Sequence, residues 1–453
     1  MILPQVLAGA VFVATFTAIS WGRVHRCIPA LTGAAVMLVV VFGIVLRDVE
    51  AIHSIVNFYQ LVEVRFWLPG TEPIQSRGIN WQTIFFIAGM MVMVEGLARA
   101  GFFRWMCLDV ARRMKYRMAP ILVGFMFLSG VLSMFIDSIT VMLFMASVTV
   151  EIARLLEFDP VPVIIAEIIA SNTGGSATMS GDPPNIIIGT SFGYTFTDFA
   201  LNTGPIAVLG LAVSVLYFYL LLRKPLTVID RRNHRSSRTY PEPRASIRDK
   251  RIFILQSWIL VLTVALLVMQ GITGMSVALI GAVAAGLTLL ASNGGARDVL
   301  AGVDWRTLLF FIGLFVCVSG LEETGVLSLL ARHIGAVSGG DETSVVAIIL
   351  WGSAFTSALV DNIPFVAGMV PVISSLSQTL GLNQQLLSWA LALGTDIGGN
   401  GTPIGASANV VGTAISSREG HPIGWGRYLR YALPVTMLVT MLCNAALFVR
   451  YLK

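Results

Sequence analysis

Charged residues are scarce in this sequence. Only 12% of its 453 residues are Asp, Glu, Lys or Arg, about half the roughly 25% of a soluble domain. Hydrophobic residues make up 56%, and the mean hydropathy is +0.80. Too few polar side chains are present to cover the outside of a globule, which excludes a soluble enzyme and a disordered chain. The composition is typical of a polytopic, all-α membrane protein.

Cysteines and catalytic motifs are also few. The four cysteines are far apart and form no CxxC pair, so neither a zinc site nor a disulfide framework is predicted. HExxH and P-loop motifs are absent, which gives no support to a zinc-dependent membrane enzyme or an ATP-driven pump. We therefore expect no enzymatic activity, no metal centre, no nucleic-acid partner and no cofactor other than a coupling H⁺ or Na⁺.

Long apolar runs are abundant. A membrane-spanning helix needs about 20 apolar residues, and we predict ten spans, two of which (161–191 and 386–415) are broken by Gly, Pro and polar residues. The other eight are 4–21, 28–46, 81–98, 205–222, 252–270, 275–292, 305–321 and 431–449. Two further apolar regions, 118–157 and 345–380, each carry one central aspartate. We predict that they form re-entrant hairpins, although full double spans would give the same sidedness.

Basic residues indicate the orientation. With the N-terminus outside, 24 of the 30 Lys and Arg residues lie on the cytoplasmic side, as the positive-inside rule requires. Ten of them fall in 223–251, which we interpret as a cytoplasmic linker. No basic residue precedes the first run, which is unlike a signal peptide. We expect a plasma membrane, by default a prokaryotic inner membrane.

The chain repeats itself at an offset of 224 residues. Trp81, Gly89 and Gly101 meet Trp305, Gly313 and Gly325, and 171–185 (SNTGGSATMSGDPPN) meets 395–409 (TDIGGNGTPIGASAN). Each half, 1–222 and 252–453, then contains five spans and one hairpin. Because five is odd, the second half enters the membrane from the opposite side. Inverted repeats with broken helices in matching places are typical of secondary transporters with a site at the bilayer midplane.

Polar residues at the hairpin tips and in the broken spans are the candidate site. A carboxylate at bilayer depth costs about 2.5–3.5 kcal/mol and usually marks an ion path, although an aspartate here would also serve as a helix N-cap. Freed backbone and polar groups in a broken span are tolerated where they line a cavity, although the glycines would also permit tight packing. The candidate substrate- or ion-binding residues are Asp137, Ser138, Thr140, Asn172, Thr173, Thr178, Asp182, Asn185, Asp361, Asn362, Asp396, Asn400, Thr402, Ser407 and Asn409. Sodium could bind near Asp137, Asn172, Asp361 and Asp396.

The segments SNTGGSATMSGDPPNIII (171–188), DNIPFVAGMVPVI (361–373) and GGNGTPIGASANVV (398–411) resemble the ion transporter superfamily. This group includes arsenite permeases, NhaD-type sodium/proton antiporters, the melanosomal P protein, and citrate and dicarboxylate symporters. The likeness is strongest to the P-protein branch. It implies a scaffold, a moving part with two hairpins, a homodimer and elevator-type alternating access.

The hairpin tips depart from the dicarboxylate relatives, which carry Ser-Asn-Thr there. In this chain the tips read Asp137-Ser138-Ile139 and Asp361-Asn362-Ile363, and two fixed carboxylates would repel a dianion. We therefore predict a secondary active transporter of inorganic ions or oxyanions, of the arsenite or anion permease type, coupled to protons or sodium. Sodium/proton antiport is the first alternative and citrate or dicarboxylate symport the second.

Overall fold

The computed structural model describes residues 2–21, 24–68, 78–233 and 240–452, and every regular element in these ranges is helical. The prediction of an all-α chain is confirmed. In the first half the helices are α1 (Ile2–Trp21), α2 (Cys27–Val36, continued as a π-helical segment Met37–Leu46), α3 (Val49–Val56), α4 (Val64–Trp67), α5 (Trp81–Arg99), α6 (Phe102–Arg113), α7 (Met118–Ser133), α8 (Ser138–Leu156), α9 (Val161–Gly175), α10 (Pro183–Phe192) and α11 (Phe196–Asn233). In the second half they are α12 (Lys250–Val268), α13 (Gln270–Thr273), α14 (Val277–Ala291), α15 (Ala296–Gly302), α16 (Trp305–Glu323), α17 (Val326–Val337), α18 (Glu342–Leu359), α19 (Asn362–Leu380), α20 (Gln384–Gly399), α21 (Ser407–Arg418) and α22 (Trp425–Tyr451). Short 3₁₀ turns cover Phe58–Val62 and Pro243–Ser246.

Membrane-spanning potential is distributed along the whole chain. Among the described residues, nine helices are long and apolar enough to cross a bilayer. They include α8, α18 and α19, three of the four arms that the sequence assigns to re-entrant hairpins. Helix α1, the remaining hairpin arm α7 and the first arm of the first broken span, α9, are apolar but shorter. The membrane character of the chain is confirmed, whereas re-entrance of the hairpins stays a prediction.

The 224-residue offset recurs in the helix boundaries. Helices α5, α6 and α8 become α16, α17 and α19 when 224 is added to both of their bounds. Helix α5 packs mainly against α14 of the other half, and α16 packs against α2. The halves are therefore interleaved, although their opposite orientation in a membrane stays a prediction.

Both predicted hairpins are helix–turn–helix units with an aspartate at the turn. Asp137 is the N-cap of α8 and accepts a hydrogen bond from the Thr140 amide at 2.9 Å. Asp361 is the N-cap of α19 and accepts one from the Ile363 amide at 3.2 Å. Because a carboxylate satisfies the free amides of a helix start, the capping interpretation holds for both residues and leaves room for a further role.

The two broken spans are interrupted where Gly and Pro cluster. Helix α9 ends at Gly175 and α10 begins at Pro183, and α20 ends at Gly399 and α21 begins at Ser407. The intervening residues, 176–182 and 400–406, are almost all buried. Buried irregular backbone needs hydrogen-bond partners, which the side chains described below supply.

Glycines let the first hairpin arm approach the broken span in each half. A Cβ on Gly174 of α9 would overlap the Gly130 carbonyl of α7, and one on Gly398 of α20 would overlap the Ala354 backbone of α18. Close backbone approach of this kind is what small residues permit between membrane helices. The packing interpretation of these glycines is therefore supported, whereas the site interpretation stays a prediction.

Part of the predicted linker, 223–251, is structured. Its first residues complete α11, which runs to Asn233. Asp230 accepts a hydrogen bond from the Met118 amide at 2.6 Å, and the Tyr240 ring stacks on Tyr116 with centroids 3.9 Å apart. The linker thus contacts the turn between α6 and α7.

Candidate functional site

A cavity of about 680 Å³ reaches both hairpin tips. Of the predicted site residues, Asp137, Thr140, Asp361 and Ser407 line it. The remaining eleven are all buried and lie in a polar network around the two helix breaks and the hairpin tips. The structure therefore divides the predicted site into an accessible layer and a buried layer.

The two tip aspartates differ in their partners. Both carboxylate oxygens of Asp137 are held by its own cap, through the Thr140 amide at 2.9 Å and the Thr140 hydroxyl at 2.7 Å. Among the described residues Asp137 forms no ion pair. Asp361 instead accepts a hydrogen bond from Arg26 at 3.1 Å and one from Ser407 at 3.3 Å. Asp137 and Asp361 occupy equivalent positions in the repeat, but only Asp361 is paired with a positively charged side chain among the described residues.

Arg26 is the cavity residue that the sequence did not single out. It precedes α2, and its guanidinium also donates to Ser407 at 2.9 Å and to Thr307 at 3.1 Å. The guanidinium carbon lies 5.0 Å from the ring centroid of Phe310. From the sequence Arg26 counts only as a cytoplasmic charge, because its nearest carboxylate partner is 335 residues away along the chain.

Acidic groups outnumber basic ones around this cavity. Glu95 and Asp304 line it in addition to the two tip aspartates, whereas Arg26 is its one Arg or Lys lining residue among those described. Glu95 is paired with Arg99 at 2.7 Å, and Asp304 caps α16 by accepting hydrogen bonds from Thr307. With Arg26 already paired to Asp361, the accessible layer favours a cation or a neutral solute over an anion.

Asp182 joins the two hairpin tips in the buried layer. Its carboxylate accepts hydrogen bonds from the Ser138 hydroxyl at 2.6 Å and from the Asn362 amide at 2.9 Å. It also lies within hydrogen-bonding reach of the Asp396 carboxyl. All four side chains are at most 3% exposed. Asp182 and Asp396, each of which has no aspartate at the equivalent position of the other half, therefore lie in one buried region.

Two hydrogen bonds across the centre of the network are related by the 224-residue offset. The Asn172 amide donates to Asn409 at 2.8 Å, and the Asn185 amide donates to Asp396 at 2.8 Å. Asn172 also donates to Asn400 at 2.9 Å, and Asn400 approaches Thr173 at 3.5 Å. The Oδ1 atoms of Asn172, Asn185 and Asp396 accept no hydrogen bond from the residues that the structure describes. Oxygen atoms of this kind are the ligands that hard cations prefer.

The remaining predicted residues hold the breaks in place. Thr178 and Thr402 donate to the carbonyls of Met134 and Ala358, each near a hairpin tip. The amides of Asn185 and Asn409 bridge each break, because each donates to a glycine carbonyl before the break and to a threonine carbonyl inside it, at 2.7–3.2 Å. These side chains are the hydrogen-bond donors that satisfy the carbonyl groups of the irregular backbone at and near the two breaks.

A second, smaller cavity of about 350 Å³ has equivalent walls in the other half. The α5 residues Met91, Val94 and Glu95 of the first cavity correspond at the 224-residue offset to Phe315, Val318 and Ser319 of the second. Likewise Leu143 of α8 corresponds to Ala367 of α19. Neither tip aspartate lines the second cavity. The pseudo-symmetry of the two halves therefore extends to their cavities, but of these two only the larger is lined by the tip aspartates.

The repeated motifs contain most of the predicted site residues but not four further residues of the cavity wall. His25, Arg26, Asp304 and Thr307 all contribute to its wall, and they lie beside predicted spans or at their edges. Thr307 corresponds to Thr83 at the 224-residue offset, and its hydrogen bonds to Asp304 follow from helix capping. No group of three or more His, Cys, Asp and Glu side chains that could hold a metal ion lies within the described residues.

The fold and the polar break region define a membrane transporter. Residues 16–394 match the family model described as citrate transporter, CitMHS. The chain belongs to this family.

Relatives match nearly the whole of this chain. The chain is 34% identical to the "46 kDa membrane protein" of Mycobacterium leprae over 452 residues, covering 99% of each chain. It is 26% identical to the mouse P protein over 514 residues, covering 95% of this chain and 58% of that protein. The predicted resemblance to the ion transporter superfamily and the P protein is confirmed. In fold, the chain is similar to the YdaH transporter of Alcanivorax borkumensis, with a TM-score of 0.57 at 14% identity over 96% of this chain and 98% of that one.

Proposed function

We propose that this protein is a secondary active transporter of a small inorganic ion or oxyanion, coupled to protons or sodium, in a bacterial plasma membrane. The observation that carries the proposal is the cavity that ends on Asp137 and Asp361, above a buried polar network that joins both halves. Ionisable side chains at bilayer depth are costly and mark ion or proton paths.

Arsenite is the leading substrate class. It is an uncharged hydroxide at neutral pH, so carboxylates, hydroxyls and amides can bind it through hydrogen bonds without charge repulsion. Asp137, Thr140 and Ser407 present such groups to the cavity. Citrate or dicarboxylate symport, the activity in the family description, is less favoured because Arg26 is already paired and unpaired acidic groups remain.

Sodium/proton antiport is the second candidate. Asp182 and Asp396 are buried side by side, and two adjacent carboxylates repel each other unless a proton or a cation lies between them. The unpartnered oxygens of Asn172, Asn185 and Asp396 would suit a sodium ion. If the Asp182–Asp396 pair released one proton for each sodium ion that bound, the protein would perform sodium/proton antiport.

Alternating access by an elevator-type movement is the proposed mechanism. The two cavities have equivalent walls, yet only the larger one reaches the tips. In the predicted orientation the larger cavity opens to the cytoplasm and the smaller one to the outside. Movement of the hairpins and broken helices against the interleaved helices α2, α5, α14 and α16 would open the second cavity and close the first. Homodimerisation is proposed from the family resemblance alone.

The test is flux into proteoliposomes that contain the purified protein. Arsenite, sodium, chloride and citrate are tested in turn, each with an imposed proton gradient, an imposed sodium gradient and no gradient. Gradient-dependent arsenite or sodium flux supports the proposal. Citrate flux alone would replace it with organic-acid symport, and absence of flux for every solute under every gradient would reject it.

A further inference from the structure

The Arg26–Asp361 ion pair lies at the point where the accessible layer of the site begins. The side chains are 22% and 20% exposed, and the Arg26 Nη1 and Asp361 Oδ2 atoms are 3.1 Å apart. We propose that Arg26 is a built-in counter-cation for Asp361, which a sodium ion must displace before it binds to that carboxylate. The inference rests on the proposed function, because it assumes that Asp361 belongs to an ion path.

Arg26 is held for this role by contacts on three helices. Its guanidinium bonds to Thr307 of α16, to the Asp361 cap of α19, and to Ser407 at the start of α21. The Phe310 ring supports it from α16. A planar guanidinium with several donors can satisfy such a set at once, and its fixed positive charge occupies the position beside Asp361 where a cation would bind.

The other half of the repeat has no such cation among the residues that the structure describes. Helix α14 is the counterpart of α2, since α14 packs against α5 as α2 packs against α16. The residue before α14 is Ser276, whose hydroxyl caps its own helix at the Leu279 amide. Asp137, the counterpart of Asp361, correspondingly forms no ion pair with any described residue. Of the two tip carboxylates, only Asp361 is paired with a cation among the described residues. A sodium ion can therefore bind to Asp361 only after Arg26 is displaced.

Displacement has a measurable consequence. When a site is competent only while an internal competitor is absent, the apparent affinity of the ligand is reduced by the competent fraction. If Arg26 occupies Asp361 about nine-tenths of the time, removal of the guanidinium should lower the half-saturating sodium concentration about ten-fold. A purely structural ion pair would leave that concentration unchanged.

The experiment measures sodium-dependent thermal stabilisation of the purified full-length protein in detergent, with choline chloride replacing sodium chloride at constant ionic strength. Arg26→Gln is compared with the wild type. Arg113→Gln is the matched control, because it removes the same charge from an exposed pair with Asp109. Arg26→Lys keeps the charge but loses the planar fork, and it should shift the half-saturating concentration in the same direction by less.

We expect a roughly ten-fold fall in half-saturating sodium for Arg26→Gln, no change for Arg113→Gln, and loss of the gain when Asp361→Asn is added to Arg26→Gln. An unchanged or higher value in Arg26→Gln overturns the proposal, as does the absence of sodium stabilisation in both proteins. If arsenite or citrate stabilises the wild type but not Arg26→Gln, while the sodium dependence is equal, Arg26 binds the anion or solute and the proposal is wrong. Should Arg26→Gln fail to fold, an unshifted value in Arg26→Lys overturns it equally.

Failure of the inference and failure of the proposed function give different results. The sodium titration is an equilibrium measurement on purified protein, whereas the proposed function is tested by flux in proteoliposomes. Wild-type flux with an unshifted titration rejects only the counter-cation. Absence of flux with a shifted titration rejects the transport proposal and leaves the Arg26–Asp361 competition standing.

Discussion

Asn362, at the tip of the second hairpin, donates a hydrogen bond of 2.9 Å to Asp182, which lies 180 residues earlier in the break of the first half. Ser138, the equivalent residue of the first tip, donates to the other oxygen of the same carboxylate at 2.6 Å. One buried carboxylate therefore ties both hairpin tips to the broken span. A movement of the tips must carry Asp182 with them or break two hydrogen bonds.

Asp182→Ala should destabilise the protein, because it leaves two buried donors without an acceptor at about 1–3 kcal/mol each. We expect a loss of about 2–6 kcal/mol in the free energy of unfolding, measured by denaturant titration in detergent micelles. Asp182→Asn keeps one acceptor oxygen and should lose less. Asp109→Ala, which removes a partly exposed surface acid paired with Arg113, should change stability by under about 1 kcal/mol. Equal stability of Asp182→Ala and the wild type would show that the two bonds contribute nothing.

Asp137→Asn and Asp361→Asn should each abolish gradient-driven transport while expression and folding remain largely intact. Asparagine has the size of aspartate and caps helices about as well, so the substitution removes the charge and keeps the cap. Flux in proteoliposomes reports the activity, and size-exclusion profiles with thermal unfolding report the fold. Wild-type rates with an unaltered pH dependence in both variants would mean that the two aspartates are only caps.

Gly174→Ala should destabilise the contact between α7 and α9. The added Cβ would overlap the Gly130 carbonyl, with the Gly130 carbonyl carbon and Cα only 2.6 Å away, and backbone cannot yield as a side chain can. Overpacking of this kind typically costs about 1–3 kcal/mol, which thermal unfolding would detect. Gly368→Ala in α19 is the control, since its Cβ would meet nothing within 4 Å. A wild-type unfolding temperature for Gly174→Ala would contradict so close an approach of the two helices.

Leu143→Cys and Ala367→Cys should be labelled from opposite sides of the membrane. The two positions are equivalent in the repeat and line the larger and the smaller cavity, respectively. Leu143 is 44% exposed and Ala367 is 3% exposed, so the first cysteine should react faster. Impermeant maleimide applied to right-side-out and inside-out vesicles gives the sidedness. Labelling of both positions from one side would reject inverted topology and the second access route together.

Much of the architecture follows from the sequence alone. Apolar runs determine where helices form, since a bilayer supplies no hydrogen bonds to the backbone and only internally bonded segments can cross it. Gly and Pro determine where those helices are interrupted, as between Gly175, where α9 ends, and Pro183, where α10 begins. The 224-residue offset predicted the equivalence of α5 with α16 and of α8 with α19, because equivalent sequences adopt the same local structure.

Contacts between residues that lie far apart along the chain could be identified only from the tertiary structure. The pairing of Arg26 with Asp361 across 335 residues leaves no pattern in the local sequence, and Arg26 belongs to no repeated motif. Asp182 and Asp396 occupy non-equivalent positions in the two repeats, so comparison of the two halves does not predict that they are close. The interleaved packing of the helices brings them together. Periodicity and spacing in the sequence indicate which side chains lie on one face of a single helix. Which charges share a buried space depends on how the helices cross, and that is decided by the packing of the whole chain.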